Sequence, residues 1–572
     1  RENQNVLQDV KSMAKQLVAE AKTCASEGEL YKSLKLFKKA YKLVPSDKIQ
    51  SRITRIEEAI AAESDEDDDE NFGFVELDNG IVIYKKLIER LYPHQIEGVK
   101  WLYNLYDHKM KGGILADDMG LGKTIQVIAF LSAMFDMKLI KHILLVLPLS
   151  VIPNWQNEFA NWAPGIKVEH YHGPVSKRKA ILQQCMRRRS VCITTYGLIV
   201  TQWQSLSETL DGREYVWDYI ILDEGHRIKN ASKTTKGLHK IPSKNRIILT
   251  GTPVQNKVRD MWALIDWVTQ GSLLGTQRTF KSSYELPIER ARQKDASPSE
   301  IHLGNMMAES LRKLTDPHIL RRTKGGLSAN LDDKENQCVD NAQDPTVLGE
   351  QPSFPKLSTK NDFVVWVYLS EIQQEIYRDF IQLDSVKELL SSHKSPLVYL
   401  TILKKICDHP RLLSTKACHE LGLESNDSTE DLDTEAIEGC AANRINNIPD
   451  TLLMEESGKL QFLIQLLIRL REEGHRTLVF SMSRKMLNIM QRILMNLKFK
   501  LMRLDGLVTK LSEREKRVKL FQEDPSYDVF LLTTQVGGVG LTLTAADRVV
   551  IYDPSWNPAT DAQAVDRIYR IG

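Results

Sequence analysis

A glycine-bearing loop at residues 114–124, reading ILADDMGLGKT, has the residue types and spacing that bind nucleotide phosphates. Gly120 and Gly122 lack side chains, so backbone N–H groups can close around a phosphate at the positive end of the following helix. Lys123 would reach the β- and γ-phosphates of ATP, and the Thr124 hydroxyl would coordinate Mg²⁺. The residues predicted to line the nucleotide here are Asp117, Asp118, Met119, Gly120, Leu121, Gly122, Lys123 and Thr124.

A pair of adjacent carboxylates supplies the second half of such a site. WDYIILDEGH at residues 217–226 predicts a buried strand that ends in Asp223 and Glu224. At the carboxyl end of a parallel strand, Asp223 would hold the Mg²⁺ shell through water, and Glu224 would polarise the attacking water. The loop and the carboxylate pair together predict hydrolysis of ATP.

Alternating strands and helices must position these residues from about residue 87 onward. Two series of segments read as buried parallel strands that end in polar loops: 142–148, 191–197, 219–224 and 246–253, then 477–481, 501–506, 529–534 and 548–553. A charge-rich stretch without periodicity separates the two series. The pattern predicts an α/β fold with two parallel-sheet domains.

The first 60 residues show helical spacing instead, with few helix breakers. The spacing of a few characteristic residues in this segment resembles that of one tetratricopeptide repeat. These residues are Leu17, Ala21, Gly28, Leu30, Phe37, Ala40 and Pro45. A lone repeat cannot bury both of its faces, so the exposed face would pack on the neighbouring domain or bind a protein partner. An ordinary all-α helical hairpin is the alternative.

The composition narrows the classes of partner and compartment. Seven scattered cysteines without a CxxC pair favour a reducing compartment and no structural zinc, and no apolar run is long enough to predict a membrane span. The formal net charge of +2 hides two acidic runs, 63–70 and 424–438, with seven acids each. The rest of the chain carries 77 basic and 61 acidic residues, an excess of about +16 that suits a polyanion.

Taken in order, the motifs resemble those of superfamily 2 helicases and, among them, the SWI/SNF-type DNA translocases, over residues 87–572. Further segments carry the resemblance at 91–102 (LYPHQIEGVKWL), 249–256 (LTGTPVQN), 320–324 (LRRTK) and 403–410 (LKKICDHP). It implies two RecA-like lobes with helical insertions, and it implies that Gln95 reads the adenine edge. Two departures are Asp117, where the generic loop has glycine, and Gly225, where the commoner motif has alanine.

In the second domain, residues 533–558 and 561–572 resemble the last two motifs of that family. Gly540 and Gln563 match positions that border the nucleotide. Arg567 and Arg570 lie three residues apart, so a helix would present both guanidiniums to phosphates held by the other lobe. They are the candidate arginine fingers, which would stabilise charge that develops during phosphoryl transfer.

The resemblance implies ATP-driven movement along double-stranded DNA without sequence preference. Four segments are expected to position DNA phosphates: 148–155, 194–196, 481–484 and 533–535. A strand-separating helicase or a nucleosome remodeller is a close alternative. A non-catalytic scaffold built on the repeat is an alternative from another class.

A single repeat ahead of such a motor resembles relatives of the Cockayne syndrome B translocase that act at centromeres and on mitotic chromosome bridges. This implies a nuclear, chromosomal location with centromere and kinetochore association in mitosis, the cytoplasm in interphase, and a Polo-like kinase as partner. We expect a monomer that does not associate with membranes. The expected domains are a TPR-like repeat at 1–60, an acidic linker at 61–80, an ATP-binding lobe with a helical protrusion at 81–324, a mobile connector at 325–354, and a second lobe at 355–572 with an acidic insertion at about 415–450.

Overall fold

The computed structural model describes residues 17–18, 21, 36–37, 40–41, 50, 52–53, 73–209, 211–228, 232–251, 258–327, 360–391, 396–413, 448–508, 510–537 and 543–566. The chain divides into two compact units, residues 1–90 and 91–572. Within the described ranges, no helix combines the length and the apolar character needed to cross a bilayer.

The first unit contains a small hairpin of strands β1 (Phe74–Glu76) and β2 (Val82–Tyr84), followed by helix α1 (Lys85–Ile88). Strand β1 lies inside the range predicted as acidic linker, so that prediction is wrong for its last residues. Leu77 and Ile81 are buried at the turn between β1 and β2, and their burial favours folding of this hairpin at the end of the predicted linker. Of the predicted repeat, Ala21 and Phe37 are buried with Ile53, whereas Gly28, Leu30 and Pro45 lie outside the described residues.

Lobe 1, defined here as residues 91–327, is built on a seven-stranded, entirely parallel sheet in the order β5-β6-β4-β7-β8-β3-β9. The strands are nearly continuous apolar runs, as expected for a sheet covered on both faces. Their bounds are β3 (Gly112–Leu115), β4 (His142–Leu147), β5 (Val168–His170), β6 (Ser190–Thr195), β7 (Trp217–Asp223), β8 (Ser243–Leu249) and β9 (Ile319–Leu320).

Helices cover both faces of this sheet, and a helical insertion follows them. On one face, Phe130 packs edge-on against Tyr219 of β7 at 5.6 Å between ring centroids. In the insertion, a Cβ atom added at Gly304 would lie 2.3 Å from the Ala291 Cβ atom, so two helices approach closely there. The helices are α2 (Pro93–Asp107), α3 (Lys123–Asp136), α4 (Ile152–Trp162), α5 (Val175–Arg187), α6 (Tyr196–Ser207), α7 (Lys233–Lys240), α8 (Val258–Thr269), α9 (Gln277–Phe280), α10 (Leu286–Ala291) and α11 (Pro298–Thr315).

Lobe 2, defined as residues 360–566, has a four-stranded parallel sheet in the order β11-β12-β10-β13. Alternate residues of its strands enter two separate cores, one containing Leu531 and the other Leu532, because successive strand side chains point to opposite faces. The strands are β10 (Thr477–Ser481), β11 (Leu501–Leu504), β12 (Val529–Thr533) and β13 (Arg548–Ile551). The helices are α12 (Glu371–Gln382), α13 (Asp384–Ser391), α14 (Leu397–Asp408), α15 (Asp450–Glu455), α16 (Gly458–Glu472), α17 (Arg484–Asn496), α18 (Leu511–Glu523), α19 (Thr534–Gly537) and α20 (Pro558–Val565).

The α/β class and both predicted series of parallel strands are confirmed. Each predicted strand overlaps an observed one within a few residues. The segment 403–410 has a packing role: the His409 ring is completely buried and its Nε2 atom lies 3.1 Å from the Leu453 carbonyl.

Candidate ATP-binding site

The predicted phosphate loop leaves β3 and enters α3, which begins at Lys123. Gly120 and Gly122 have φ angles of +88° and +79°, a backbone conformation that L side chains rarely adopt. A Cβ atom at Gly122 would also lie 2.3 Å from Nε2 of Gln95. Both glycines are therefore required by the path of the loop.

Lys123 brings its ammonium into this loop. Its Nζ atom donates to the carbonyl oxygens of Asp117 (2.6 Å) and Asp118 (3.1 Å). Burial lowers the pKa of Lys123, while the nearby charges of Glu224, Asp117, Asp223 and Asp118 oppose that shift. The structure thus brings the predicted lysine and the predicted carboxylate pair into one site.

The carboxylate pair lies at the carboxyl end of β7, as predicted. Asp223 accepts hydrogen bonds at Oδ2 from Trp155 Nε1 and at Oδ1 from the Glu224 N–H, both at 2.9 Å. Burial, followed by the charge of Glu224, raises the pKa of Asp223 to about 6. Glu224 has a φ of +51°, and its Oε2 atom is buried without a hydrogen bond from the described residues, 3.4 Å from Nδ1 of His226.

This carboxylate set fits a divalent cation. Mg²⁺ prefers oxygen ligands and is commonly held by one or two carboxylates with several waters. Burial and the charge of Glu224 raise the pKa of Asp223, and the buried Oε2 atom of Glu224 has no hydrogen bond from the described residues, so a cation would stabilise the ionised form of Asp223 and give Glu224 a partner. Thr124 lies on the first turn of α3, where its hydroxyl could complete the set.

Gln95 is buried beside the loop with both ends of its amide engaged. Its Oε1 accepts from the Tyr92 N–H at 3.0 Å, and its Nε2 donates to the Leu121 carbonyl at 3.4 Å. The neighbouring His94 contacts the same carbonyl through Nε2 at 3.1 Å. Reading of adenine by Gln95 stays a prediction, and it would require these bonds to be exchanged.

Asp117 is placed differently from the sequence-based expectation. Its side chain is completely buried, and it accepts hydrogen bonds from the Arg322 backbone N–H (3.1 Å), Arg322 Nε (3.0 Å) and Gln126 Nε2 (3.2 Å). Its carboxylate therefore anchors the loop, and only its backbone remains a candidate for nucleotide binding. Sequence reasoning singled out the segment LRRTK but assigned no role to Arg322.

A second anchor continues along the same segment. The Asp118 N–H donates to the Arg322 carbonyl at 2.9 Å, and the Lys324 N–H donates to Asp118 Oδ2 at 3.2 Å. The Lys324 ammonium then lies 3.3 Å from Asp566 Oδ1 in lobe 2. The phosphate loop is thus connected to lobe 2 through residues 322–324.

The predicted residues of lobe 2 are only partly covered. Gly540, Arg567 and Arg570 lie outside the described residues. Gln563, on α20, has a buried Nε2 atom without a hydrogen-bond partner among the described residues. The arginine fingers therefore stay a prediction.

Side chains in all four predicted DNA-facing segments are buried. Trp155, Thr194 and Tyr196 in lobe 1 are 1%, 0% and 6% exposed, and Ser481, Thr533 and Thr534 in lobe 2 are 0%, 6% and 2% exposed, so these side chains cannot contact DNA in this arrangement. Exposed neighbours such as Leu149, Asn154 and Gly197 remain the candidate DNA contacts on lobe 1. Burial of these side chains could not be read from their motif positions.

Comparison with known proteins agrees with this layout. Residues 94–341 match the SNF2-related domain, and residues 458–572 match the helicase conserved C-terminal domain. The first match lies in and just beyond lobe 1, and the second covers the sheet of lobe 2 and its helices from α16 onward, which confirms the prediction of two RecA-like lobes.

Named relatives are similar along nearly all of this chain. "DNA excision repair protein ERCC-6-like" of Danio rerio is 53% identical over 564 residues, which cover 96% of this chain and 38% of that protein. The Homo sapiens protein of the same name is 50% identical over 562 residues, which cover 97% of this chain and 44% of that protein. This chain therefore spans less than half the length of these relatives.

Among solved structures, the "Sulfolobus solfataricus SWI2/SNF2 ATPase core in complex with dsDNA" is 29% identical to this chain. The match covers 87% of each chain with a TM-score of 0.39.

Proposed function

Because this chain belongs to the SWI2/SNF2 superfamily, and its two matched domains are those of DNA-dependent ATPases, we propose that it moves along double-stranded DNA by hydrolysing ATP. The observation that carries the proposal is the convergence of Lys123 with Asp223 and Glu224 between a glycine loop and a strand end. Such a constellation positions phosphates and water for phosphoryl transfer.

Each residue of the site has a proposed role. Lys123 and the loop amides bind the phosphates of ATP, Thr124 and Asp223 hold Mg²⁺, and Glu224 orients the attacking water. When bound, Mg²⁺ neutralises the charge on the β- and γ-phosphates. Gln95, Gln563 and Gly540 border the nucleotide, and Arg567 and Arg570 complete the site from lobe 2.

Movement follows from a change in lobe closure. ATP favours the closed form because both lobes contact it, and hydrolysis removes that preference. If each lobe holds the phosphate backbone in turn, closure and opening advance the protein along DNA. Backbone contacts of this kind give little sequence preference and strong salt dependence.

The test is ATP hydrolysis without nucleic acid, with single-stranded DNA and with double-stranded DNA. We expect the duplex to stimulate most, and we expect Glu224→Gln to retain ATP and DNA binding but to lose turnover. Hydrolysis that ignores DNA, or a Glu224→Gln variant with the wild-type rate, would contradict the proposal.

Displacement assays decide between the related activities. A translocase removes the third strand of a triplex and leaves a forked duplex paired, whereas a strand-separating helicase opens the fork. Sliding of a nucleosome would indicate a remodeller. A protein that binds partners but hydrolyses no ATP would be a non-catalytic scaffold that acts through its N-terminal repeat.

The chromosomal role is proposed from resemblance to the Polo-kinase-interacting checkpoint helicase. We propose that the protein acts at centromeres, kinetochores and mitotic chromosome bridges, with a Polo-like kinase as partner and a further protein bound by the N-terminal repeat. Imaging of a tagged full-length protein through mitosis tests the location. A uniform cytoplasmic signal at every stage would contradict it.

A further inference from the structure

Two buried aromatic side chains contact the end of strand β7 from the side of β4 and β6, whereas the phosphate loop follows β3 on the other side of β7. Trp155 Nε1 donates to Asp223 Oδ2 at 2.9 Å, and the Tyr196 hydroxyl donates to the Asp223 carbonyl at 2.6 Å. The first bond fixes the carboxylate, and the second fixes the peptide group between Asp223 and Glu224. Neither bond was predicted from the sequence.

This peptide group is in a conformation that needs support. Glu224 has a φ of +51°, which is unfavourable for a residue with a side chain, and its N–H is turned back onto Asp223 Oδ1 at 2.9 Å. The Tyr196 hydroxyl bonds the other end of that same peptide group. The two rings therefore restrain the orientation of both carboxylates.

Each ring also belongs to a segment that reaches the protein surface. Trp155 lies in α4 beside the exposed Asn154, and the short helical turn before it exposes Leu149 at 46%. Tyr196 begins α6 directly before the exposed Gly197. Both segments follow parallel strands, β4 and β6, at the same edge of the sheet as Asp223.

We propose that Trp155 and Tyr196 are positioning residues that connect the DNA-facing segments of lobe 1 to Asp223 and so determine how strongly DNA stimulates hydrolysis. The inference rests on the proposed function. A small shift of either segment on DNA would move a bond donor on the metal-binding carboxylate or on its peptide group. Bonds to metal ligands of this kind commonly change metal affinity or activity by about 10–100-fold when they are removed.

The experiment removes one donor at a time. Tyr196→Phe deletes only the hydroxyl, and Trp155→Phe deletes the indole N–H. Matched controls in the same lobe are Trp217→Phe, whose buried Nε1 donates to the Leu206 carbonyl at 2.8 Å, and Tyr171→Phe, whose hydroxyl donates to Gln202 at 3.4 Å.

Three quantities are measured for each variant: affinity for a fluorescent DNA duplex, binding of Mn²⁺ with a non-hydrolysable ATP analogue by electron paramagnetic resonance, and the ratio of ATPase rates with and without duplex. For Trp155→Phe and Tyr196→Phe we expect DNA affinity within about twofold of wild type. We expect weaker Mn²⁺ binding and a stimulation ratio reduced about tenfold or more. The two controls should keep all three values.

Contrary results are equally specific. Lost DNA affinity with an unchanged stimulation ratio at saturating DNA would make these residues DNA contacts. Equal losses with and without DNA would make them structural. If Trp155→Phe fails to fold, Tyr196→Phe carries the test alone. A wild-type protein without DNA stimulation would refute the proposed function, whereas unchanged Mn²⁺ binding in Tyr196→Phe would refute this inference.

Discussion

At the scale of single residues, the phosphate loop is held by a buried ion pair as well as by its glycines. The Asp117 side chain is completely buried, and the Arg322 side chain is 12% exposed. The Asp117 carboxylate accepts three hydrogen bonds from Arg322, two from its guanidinium and one from its backbone N–H. Removal of one partner leaves a charge without compensation in a medium of low dielectric. The pair therefore matters for the order of the loop, although the Asp117 carboxylate is buried and already bonded to Arg322.

We expect Asp117→Asn to lower the free energy of unfolding of lobe 1 by about 3 kcal/mol, because Arg322 would lose its buried counter-charge and keep only the exposed carboxylate of Glu97, 3.5 Å from its Nη1 atom. Chemical denaturation followed by circular dichroism measures the change. Glu309→Gln, which breaks the exposed pair with Lys313 on α11, is the control and should leave the midpoint unchanged. Equal midpoints for the two variants would contradict the anchoring role.

His409 predicts a pH dependence of stability. Burial lowers its pKa to about 4, so between about pH 6.5 and 4 the unfolded chain binds a proton that the folded chain does not. The contribution of His409 to the free energy of unfolding is complete above pH 6.5. It is lost as the pH falls towards 4, and the loss amounts to at most about 3 kcal/mol.

The check is denaturation of wild type and His409→Gln across that pH range, where the variant should show the weaker loss of stability towards acid. Asp553 provides a contrast in the same lobe, because burial raises its pKa to about 6 and its folded form binds a proton more tightly than its unfolded form. Asp553→Asn should therefore make the acid-induced loss steeper. Parallel pH profiles in all three proteins would contradict both assignments.

At the scale of elements, the turn after β7 is closely packed against β8. A Cβ atom at Gly225 would lie 2.5 Å from the Cγ2 atom of Ile248, which is completely buried. The glycine that replaces the commoner alanine at this position therefore leaves the space that the Ile248 side chain of β8 occupies. The two working carboxylates precede it and are unaffected by the exchange itself.

Gly225→Ala should destabilise lobe 1 by about 1–3 kcal/mol through overpacking. In an Ile248→Ala background the same change should cost at least about 1 kcal/mol less, because the contact is gone. Thermal denaturation of the four proteins of this cycle measures the coupling. Gly165→Ala, where an added Cβ atom meets nothing within 4 Å, is the control, and additive costs in the cycle would contradict the packing argument.

At the scale of the whole molecule, Lys324 and Asp566 join the two lobes. The Lys324 side chain is 8% exposed and its ammonium lies 3.3 Å from the carboxylate of Asp566, and the Lys324 backbone N–H donates to Asp118 of the phosphate loop. Asp566 directly precedes the first candidate arginine finger in the sequence. A partly buried pair of this kind is screened by salt less than a surface pair.

We expect Asp566→Asn to widen the distribution of lobe distances, measured by energy transfer between one dye on each lobe, and to lower ATPase activity several-fold. The exchange of both charges, Lys324→Asp with Asp566→Lys, should restore part of each. Asp547→Asn changes a carboxylate that pairs with His475 within lobe 2, so it should alter neither quantity. Identical distance distributions for Asp566→Asn and wild type would contradict the connection.

Much of the fold and the centre of the site follow from the sequence alone. Buried parallel strands are near-continuous apolar runs, so their positions were predictable. Lys123, Asp223 and Glu224 were predictable because phosphate and metal chemistry requires those residue types next to a glycine loop and a strand end. These signals involve residues that are close in the sequence, so they can be recognised without the tertiary structure.

The tertiary structure alone decided the partners of those residues. Asp117 pairs with Arg322 across 205 positions, and Asp223 accepts from Trp155 across 68, so no local pattern connects them. It also decided that Trp155 and Tyr196 point inward, because an aromatic side chain beside a polar loop fits a buried or an exposed place equally well until the neighbouring elements are packed. Residue types specify which chemistry is available, whereas the distances and burial that tune it arise only when distant segments meet.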